Sequence, residues 1–317
     1  MEFFNFDVGK NRIYNVDWLK TIAILAVLLL HCSSKYLLPD FVFQPNWYWG
    51  VFFESLSRFG VPLFIMVSGF LILRKDQPIS SVPRRIKRVL IPFIFWLVVY
   101  VIAKFAMIYH SFDLIQFGYF LIQAFLDPTI VSIEFWFVYM IVGLYIFSPI
   151  ITTWLHNAEI YEIEYFLIVW ALISFVGFSN VDFLLYDYLK YFTGSIGYFI
   201  LGYYLYIKQK SVLKNKNFGL VLFVAGTLLS FLGTVLSSMA IGGQSLLFFN
   251  LGDVTPNACL QAIGMFIIVL NTDCEKYSKS VNFKFLLQNI VSNLLLVYII
   301  FSPSNKNIGL FIVENDT

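Results

Sequence analysis

Apolar stretches of about 20 residues follow one another almost end to end along this chain, and that succession constrains the fold more than any motif does. They run near residues 18–38, 50–73, 89–109, 134–154, 162–180, 191–208, 217–240 and 256–271. A hydrocarbon core about 30 Å thick is crossed by about 20 residues of helix, and in lipid every backbone polar group must find its partner within the protein. The pattern therefore predicts an all-α, polytopic integral membrane bundle of 8–9 transmembrane helices, one membrane-embedded domain over residues 1–317 with no room for a separate globular one. Composition agrees, since a chain that is 59% hydrophobic and 13% charged cannot cover a water-soluble globule. Residues 114–126 are apolar but short and read as an interfacial or re-entrant helix. From about residue 285 the pattern loosens: an apolar run of about a dozen residues, a polar break and a second short run leave the ninth helix open.

Charges between the spans set an orientation. The second loop holds Arg74, Lys75, Arg84, Arg85, Lys87 and Arg88, and the sixth holds Lys208, Lys210, Lys214 and Lys216. Short basic loops stay in the cytoplasm, which puts the N-terminus there with Lys10 and Arg12, and likewise Lys276, Lys279 and Lys284. The loop around residues 155–161 dissents, because Glu159, Glu162 and Glu164 are acidic, but acidic residues weigh little in this rule. A net charge of +2 without a basic stripe predicts no nucleic-acid partner. Cys32, Cys259 and Cys274 lack paired spacing, so neither a disulfide framework nor a metal site is expected. The mixed-charge first 17 residues do not read as a cleavable signal peptide.

Several polar residues interrupt the apolar runs. In DWLKTIAILAVLLLHC, Lys20 and His31 are eleven positions apart and fall about 20° from each other on a helix, and Asp17 falls about 40° from His31. All three share a face, with His31 about 16 Å beyond Lys20 and near mid-bilayer. An ionisable group at that depth points to a lined cavity or pathway; it also fits a histidine bonded to a neighbouring helix above two interfacial anchors. Histidine's ordinary pKa near 6.5 suits proton transfer. In the second span Glu54 and Arg58 stand at i, i+4 and can pair on one helix. Ser68 and Gly69, just before Arg74, let another helix or a ligand approach the backbone. The run VPRRIKRVLIPFIFW puts Arg84, Arg85, Lys87 and Arg88 at a helix mouth, a topology signal whose guanidinium forks also suit phosphate. Glu134 and Trp136 open the fourth span, and Asp253, Asn257 and Gln261 lie near the start of the eighth, as candidates for an outer vestibule.

Together and in this order, these residues resemble the acyltransferase-3 family of integral membrane O-acyltransferases. That family's first helix carries an aspartate, a basic residue and, after ten intervening residues, a histidine; Asp17, Lys20 and His31 fit, with lysine where arginine is usual. Residues 59–72, FGVPLFIMVSGFLI, closely match the family phrase FGVPLFFMLSGFLL. Arg84, Arg85 and Arg88 followed by Pro92 and Trp96 match its RRxxR phrase, and Trp136 with Phe137 matches its WF pair. The resemblance covers residues 12–271 and departs at the C-terminus, where SNLLLVYIIFSPS stands in place of a last helix near SFGIYLIHP, so the tail reads as truncated or altered.

The resemblance implies a multi-pass enzyme of a bacterial plasma membrane that moves an acyl group, acetyl in the first instance, from acyl-CoA to a hydroxyl of a cell-surface or lipid-linked glycan, without a metal. It implies His31 as the catalytic base or acyl acceptor, and Lys20, Arg84, Arg85 and Arg88 as holders of the donor's phosphates. Asp17, about 21 Å along the axis from His31, is too distant to orient its imidazole, whose partner is left open. Two alternatives stay open with it: a polysaccharide exporter or flippase, and an inactive truncated family member.

Overall fold

The computed structural model describes residues 14–109, 113–178, 194–208, 211–245, 255–274 and 276. Among them there is helix and no strand. The α-helices are α1 (Tyr14–Ser34), α2 (Pro45–Ser57), α3 (Gly60–Leu73), α4 (Val82–Ile108), α5 (Leu114–Leu126), α6 (Trp136–Asn157), α7 (Ile160–Phe178), α8 (Ser195–Ile207), α9 (Lys216–Ile241) and α10 (Pro256–Leu270). By length and composition five segments among the described residues can cross a membrane: Tyr14–Leu37, Pro45–Leu73, Ile79–Ile108, Trp136–Asn157 and Lys216–Ile241. Shorter apolar helices accompany them, and the whole is an all-α polytopic membrane protein. Lys10, Arg12, Lys210, Asp253, Lys279, Lys284 and the tail from residue 277 lie outside the described residues.

Two local differences from the sequence expectation have plain causes. The second span is two helices, α2 and α3, joined by a turn at Arg58 and Phe59. Pro62 has no N–H to offer the Arg58 carbonyl and its ring crowds that oxygen, so the helix breaks there and resumes with the Leu63 amide bonding to Phe59. The third span starts earlier than residue 89, at Val82, with a proline in its first turn. Proline is preorganised there and gives up an amide that had no helical partner anyway, so the arginine cluster is helical.

The described residues divide into two compact units, those within Met1–Arg74 and Ala158–Leu295, and those within Lys75–Asn157. In the first, α1 buries a stripe of Leu19, Ala23, Ala26, Leu30 and Ser33 against α2 and α3. Small residues bring the remaining helices into backbone contact. A Cβ on Gly69 would overlap the Phe199 carbonyl, and one on Gly202 would overlap the Met66 carbonyl, so α3 and α8 meet through these two positions. On α9, Gly219 faces the Gly264 carbonyl of α10, and Gly226 faces Asn257 and Gln261. Such close approach is how helices associate where lipid removes the hydrophobic drive between them.

One end of this unit gathers the loops expected to be cytoplasmic. Asn15 donates to the Val269 carbonyl at 2.7 Å and to Thr272 at 3.0 Å, Asn271 donates to Leu213 at 2.8 Å, and the Phe70 and Tyr206 rings meet edge-on at 4.9 Å. The dissenting acidic loop belongs to the same end. Glu164 accepts from the Tyr204 hydroxyl at 2.7 Å and pairs with Lys208, while Glu162 accepts from the Glu159 amide at the start of α7. Two of its three carboxylates are thus engaged locally.

In the second unit α4 packs against α5 and α6 around Phe93, Leu97, Val101, Phe105, Phe120 and Ala124. Asp113 caps α5 by accepting from the Ile115 amide at 2.7 Å. At 13 residues α5 spans only about 20 Å, and it buries Phe120 and Ala124 while leaving Leu114, Ile115 and Ile122 exposed. At the far end of α6, His156 Nδ1 lies 3.0 Å from Asp76.

Candidate functional site

In the first unit Asp17, Lys20 and His31 lie on α1, and Glu54 and Arg58 lie at the end of α2 beside the break before α3. Asp17, Lys20 and His31 are half-buried along one flank of α1. His31 lies in the last turn of that helix, 17 residues from Tyr14 and six from Leu37, about 26 and 9 Å along the axis. Its position is therefore about midway between the centre of the span and its far end.

Glu54 and Arg58 make the pair that their spacing allows, with Arg58 Nη2 2.7 Å from Glu54 Oε1 and the side chains only 8% and 2% exposed. The other carboxylate oxygen, Oε2, lies 3.0 Å from Ser33 Oγ on α1. Ser33 and His31 are two positions apart, about 160° around the helix, so Glu54 meets α1 on the side away from the histidine. An ion pair taken out of water is retained only where geometry and added hydrogen bonds offset desolvation, and here a charged bond and a serine hydroxyl do so at the point where Pro62 has opened the span.

Beside this pair runs a polar seam between α2, α9 and α10. Gln261, fully buried, donates from Nε2 to the Ser55 carbonyl at 2.7 Å and to Thr227 Oγ1 at 2.8 Å. Asn257 donates to Ser230 Oγ at 2.6 Å, one turn earlier on α10. Ser33, Ser55, Thr227 and Ser230 were not singled out from the sequence. The available signal was the recurrence of Gly219, Gly226, Ser230, Thr234 and Ser238 at helical spacing, a small-residue face.

Ser68 Oγ donates to the Phe64 carbonyl at 2.9 Å, and Gly69 meets α8, so both positions are engaged with helix backbone. At the basic end of the unit Arg74 stacks over the Phe70 ring at 5.2 Å. Burial pushes its guanidinium below the ordinary value, with the nearby Tyr206 acting the other way. Burial also pushes the Cys274 thiol up, helped by Asp273 and opposed by Lys216.

The second unit holds the arginine cluster and the Glu134–Trp136 pair. Arg84 and Arg88 are exposed at the start of α4, while Arg85 turns inward, bonding Gln77 and lying 3.4 Å from Ser148 Oγ. Glu134 accepts from Ser132 Oγ, and Trp136, half-buried, opens α6. Lys104 escaped the sequence reading altogether: it is 6% exposed inside α4 and donates to the Ile130 carbonyl at 2.7 Å.

Buried ionisable side chains within helices long and apolar enough to span a bilayer define a membrane protein whose polar interior serves chemistry or transport, because hydrocarbon tolerates such groups only at considerable cost. The sequence match narrows that class to an enzyme. The family model for the acyltransferase-3 type of acyltransferase domain matches residues 13–312, so the chain belongs to that family and is a membrane acyltransferase. The match continues through the segment after residue 285 that reads as atypical. No curated protein and no solved structure matches the chain.

Proposed function

We propose that the protein transfers an acyl group, acetyl in the first instance, from acyl-CoA to a hydroxyl of a cell-surface or lipid-linked glycan at a bacterial plasma membrane. The observation that carries this reading is the family match over residues 13–312, joined to a histidine held within a membrane span. Each unit has a basic end, marked by Arg74, Lys208, Lys214 and Lys216 in one and by Arg84, Arg85 and Arg88 in the other, and those ends face the cytosol under the positive-inside tendency. Coenzyme A arrives there carrying phosphates that guanidinium forks bind well. Exposed Arg84 and Arg88 are free to swing to a ligand, whereas Arg85 is tethered and sets their position. Lys20, near the start of α1, supplies a further cation.

His31 takes the proton of the acceptor hydroxyl as its oxygen attacks the thioester carbonyl, and coenzyme A leaves as the thiol after taking up that proton. Asp17 stays near the first turn of α1, remote from this step. Glu54, committed to Arg58 and Ser33, serves by holding α2 to α1 rather than by handling the proton. The test is transfer of label from acetyl-CoA carrying a radioactive acetyl group to membrane glycolipid by the full-length protein in proteoliposomes. Wild type transfers label and His31→Ala does not, although the variant inserts equally well; full activity in that variant removes His31 from the mechanism.

A further inference from the structure

The basic ends of α3 and α8 carry a cation to which no described residue supplies a counter-ion. The two helices cross where Gly69 meets the Phe199 carbonyl and Gly202 meets the Met66 carbonyl. Arg74 stands five residues beyond Gly69 and Tyr206 four beyond Gly202, so the crossing brings both to one end. Phe70 joins them: the Arg74 guanidinium stacks over its ring at 5.2 Å, and the Tyr206 ring meets it edge-on at 4.9 Å. The Tyr206 phenol lies within electrostatic range of the guanidinium.

Arg74 Nε and Nη1 are buried with no hydrogen-bond acceptor among the described residues, and no described carboxylate forms an ion pair with that side chain. Nη2 is not sealed in this way, and Arg74 as a whole is only half-buried. The Tyr206 hydroxyl, also on a half-buried residue, makes no hydrogen bond among the described residues. A guanidinium keeps its proton at any working pH, so it must be met by water or by an anion. With two of its nitrogens shut off from water, it gains most from a negative group at the open Nη2 edge. The dipole at the end of α3 favours a cation there by about 0.3–1 kcal/mol but gives the guanidinium no acceptor. Glu164, at the same end, is committed to Tyr204 and Lys208.

We infer that Arg74 and Tyr206 form a site for the phosphate of an anionic phospholipid in the cytoplasmic leaflet. Nη2 and the phenol are open donors at one helix crossing, and phosphodiester oxygens accept from both. Basic pockets between helices at the cytoplasmic face take such headgroups. The surroundings favour a lipid over a nucleotide. Leu71 and Ile72, in the last turn of α3, are half-buried, and Ile207 beside Tyr206 is 37% exposed, so apolar surface for acyl chains adjoins the phosphate. A zwitterionic headgroup gains less, because Arg74 repels its ammonium and Glu164 is already engaged. The inference stands apart from the acyl-transfer reading, in which Arg84 and Arg88 of the other unit meet the donor.

The test is native mass spectrometry of the full-length protein in detergent, titrated with phosphatidylglycerol, with phosphatidylcholine, or with coenzyme A bearing no acyl group. Wild type retains one phosphatidylglycerol about tenfold more tightly than phosphatidylcholine, and coenzyme A does not displace it. Arg74→Gln weakens phosphatidylglycerol about tenfold and leaves phosphatidylcholine unchanged, Tyr206→Phe weakens it about threefold, and Lys87→Gln, at an exposed position of the other unit, changes nothing. If Arg74→Gln fails to fold, Tyr206→Phe and Arg74→Lys, which keeps the charge but loses the fork, carry the test with intermediate losses. Equal retention of the two lipids by wild type, or phosphatidylglycerol retention unchanged in Arg74→Gln and Tyr206→Phe, would overturn the site. Displacement of phosphatidylglycerol by coenzyme A would overturn it too, in favour of a site for the donor's phosphates.

Discussion

Replacing Glu54 by leucine leaves the Arg58 guanidinium, 8% exposed, without the carboxylate oxygen 2.7 Å away. Breaking a buried pair from one side costs about 3–5 kcal/mol because the remaining charge loses that counter-ion in a low-dielectric interior. In the folding equilibrium that is a factor of about 100 to several thousand. Arg58→Leu incurs a similar cost, and it also leaves Glu54 with only the Ser33 hydroxyl among its present bonds. Removing both charges behaves differently: two leucines restore an apolar contact at the α2–α3 break, and the double variant lies within about 2 kcal/mol of wild type. The assay is reversible unfolding in bicelles followed by tryptophan fluorescence, completed as a double-mutant cycle so that the coupling is read directly. If either single variant costs less than about 1 kcal/mol, or the double variant costs the sum of the singles, the pair is not the buried, mutually dependent unit described here.

Gly69→Leu drives a side chain into the Phe199 carbonyl, and we expect loss of the monodisperse folded protein on gel filtration, whereas Gly118→Ala, with nothing within 4 Å of the added carbon, elutes as wild type. Gln261→Leu removes the bonds that join α10 to Ser55 and Thr227 and lowers unfolding stability by about 1–2 kcal/mol by the same bicelle measurement. Arg84→Gln and Arg88→Gln each raise the KM for acetyl-CoA about tenfold with the acceptor KM unchanged, while Arg85→Gln additionally lowers thermal stability because it loses Gln77 and Ser148.

Helix content and the larger spans were legible because lipid leaves the backbone so few choices: an apolar run of sufficient length is a helix. The Glu54–Arg58 bond was legible too, since i, i+4 proximity is internal to one helix. The break after Arg58 was written in Pro62 but masked by the continuous hydrophobicity around it. Contacts that depend on how each helix turns about its own axis were not available. Ser33 meeting Glu54, Gln261 meeting Ser55, and Gly69 meeting α8 each couple residues far apart in sequence, and a single chain offers no measure of that rotation. Lys104 was passed over for another reason. A lone lysine late in an apolar helix reads as an anchor reaching for the interface, yet its head is turned inward to Ile130.

Acyl transfer to a glycan is tested most directly by mass spectrometry of the cell-surface glycan. Glycan from cells with the intact gene, from cells lacking it, and from cells complemented with His31→Ala should differ by the mass of an acyl group on each modified repeat, present only in the first. Glycan of identical mass in all three, or an acylated glycan that disappears from the surface while accumulating inside the cell, would contradict transfer, the latter in favour of export.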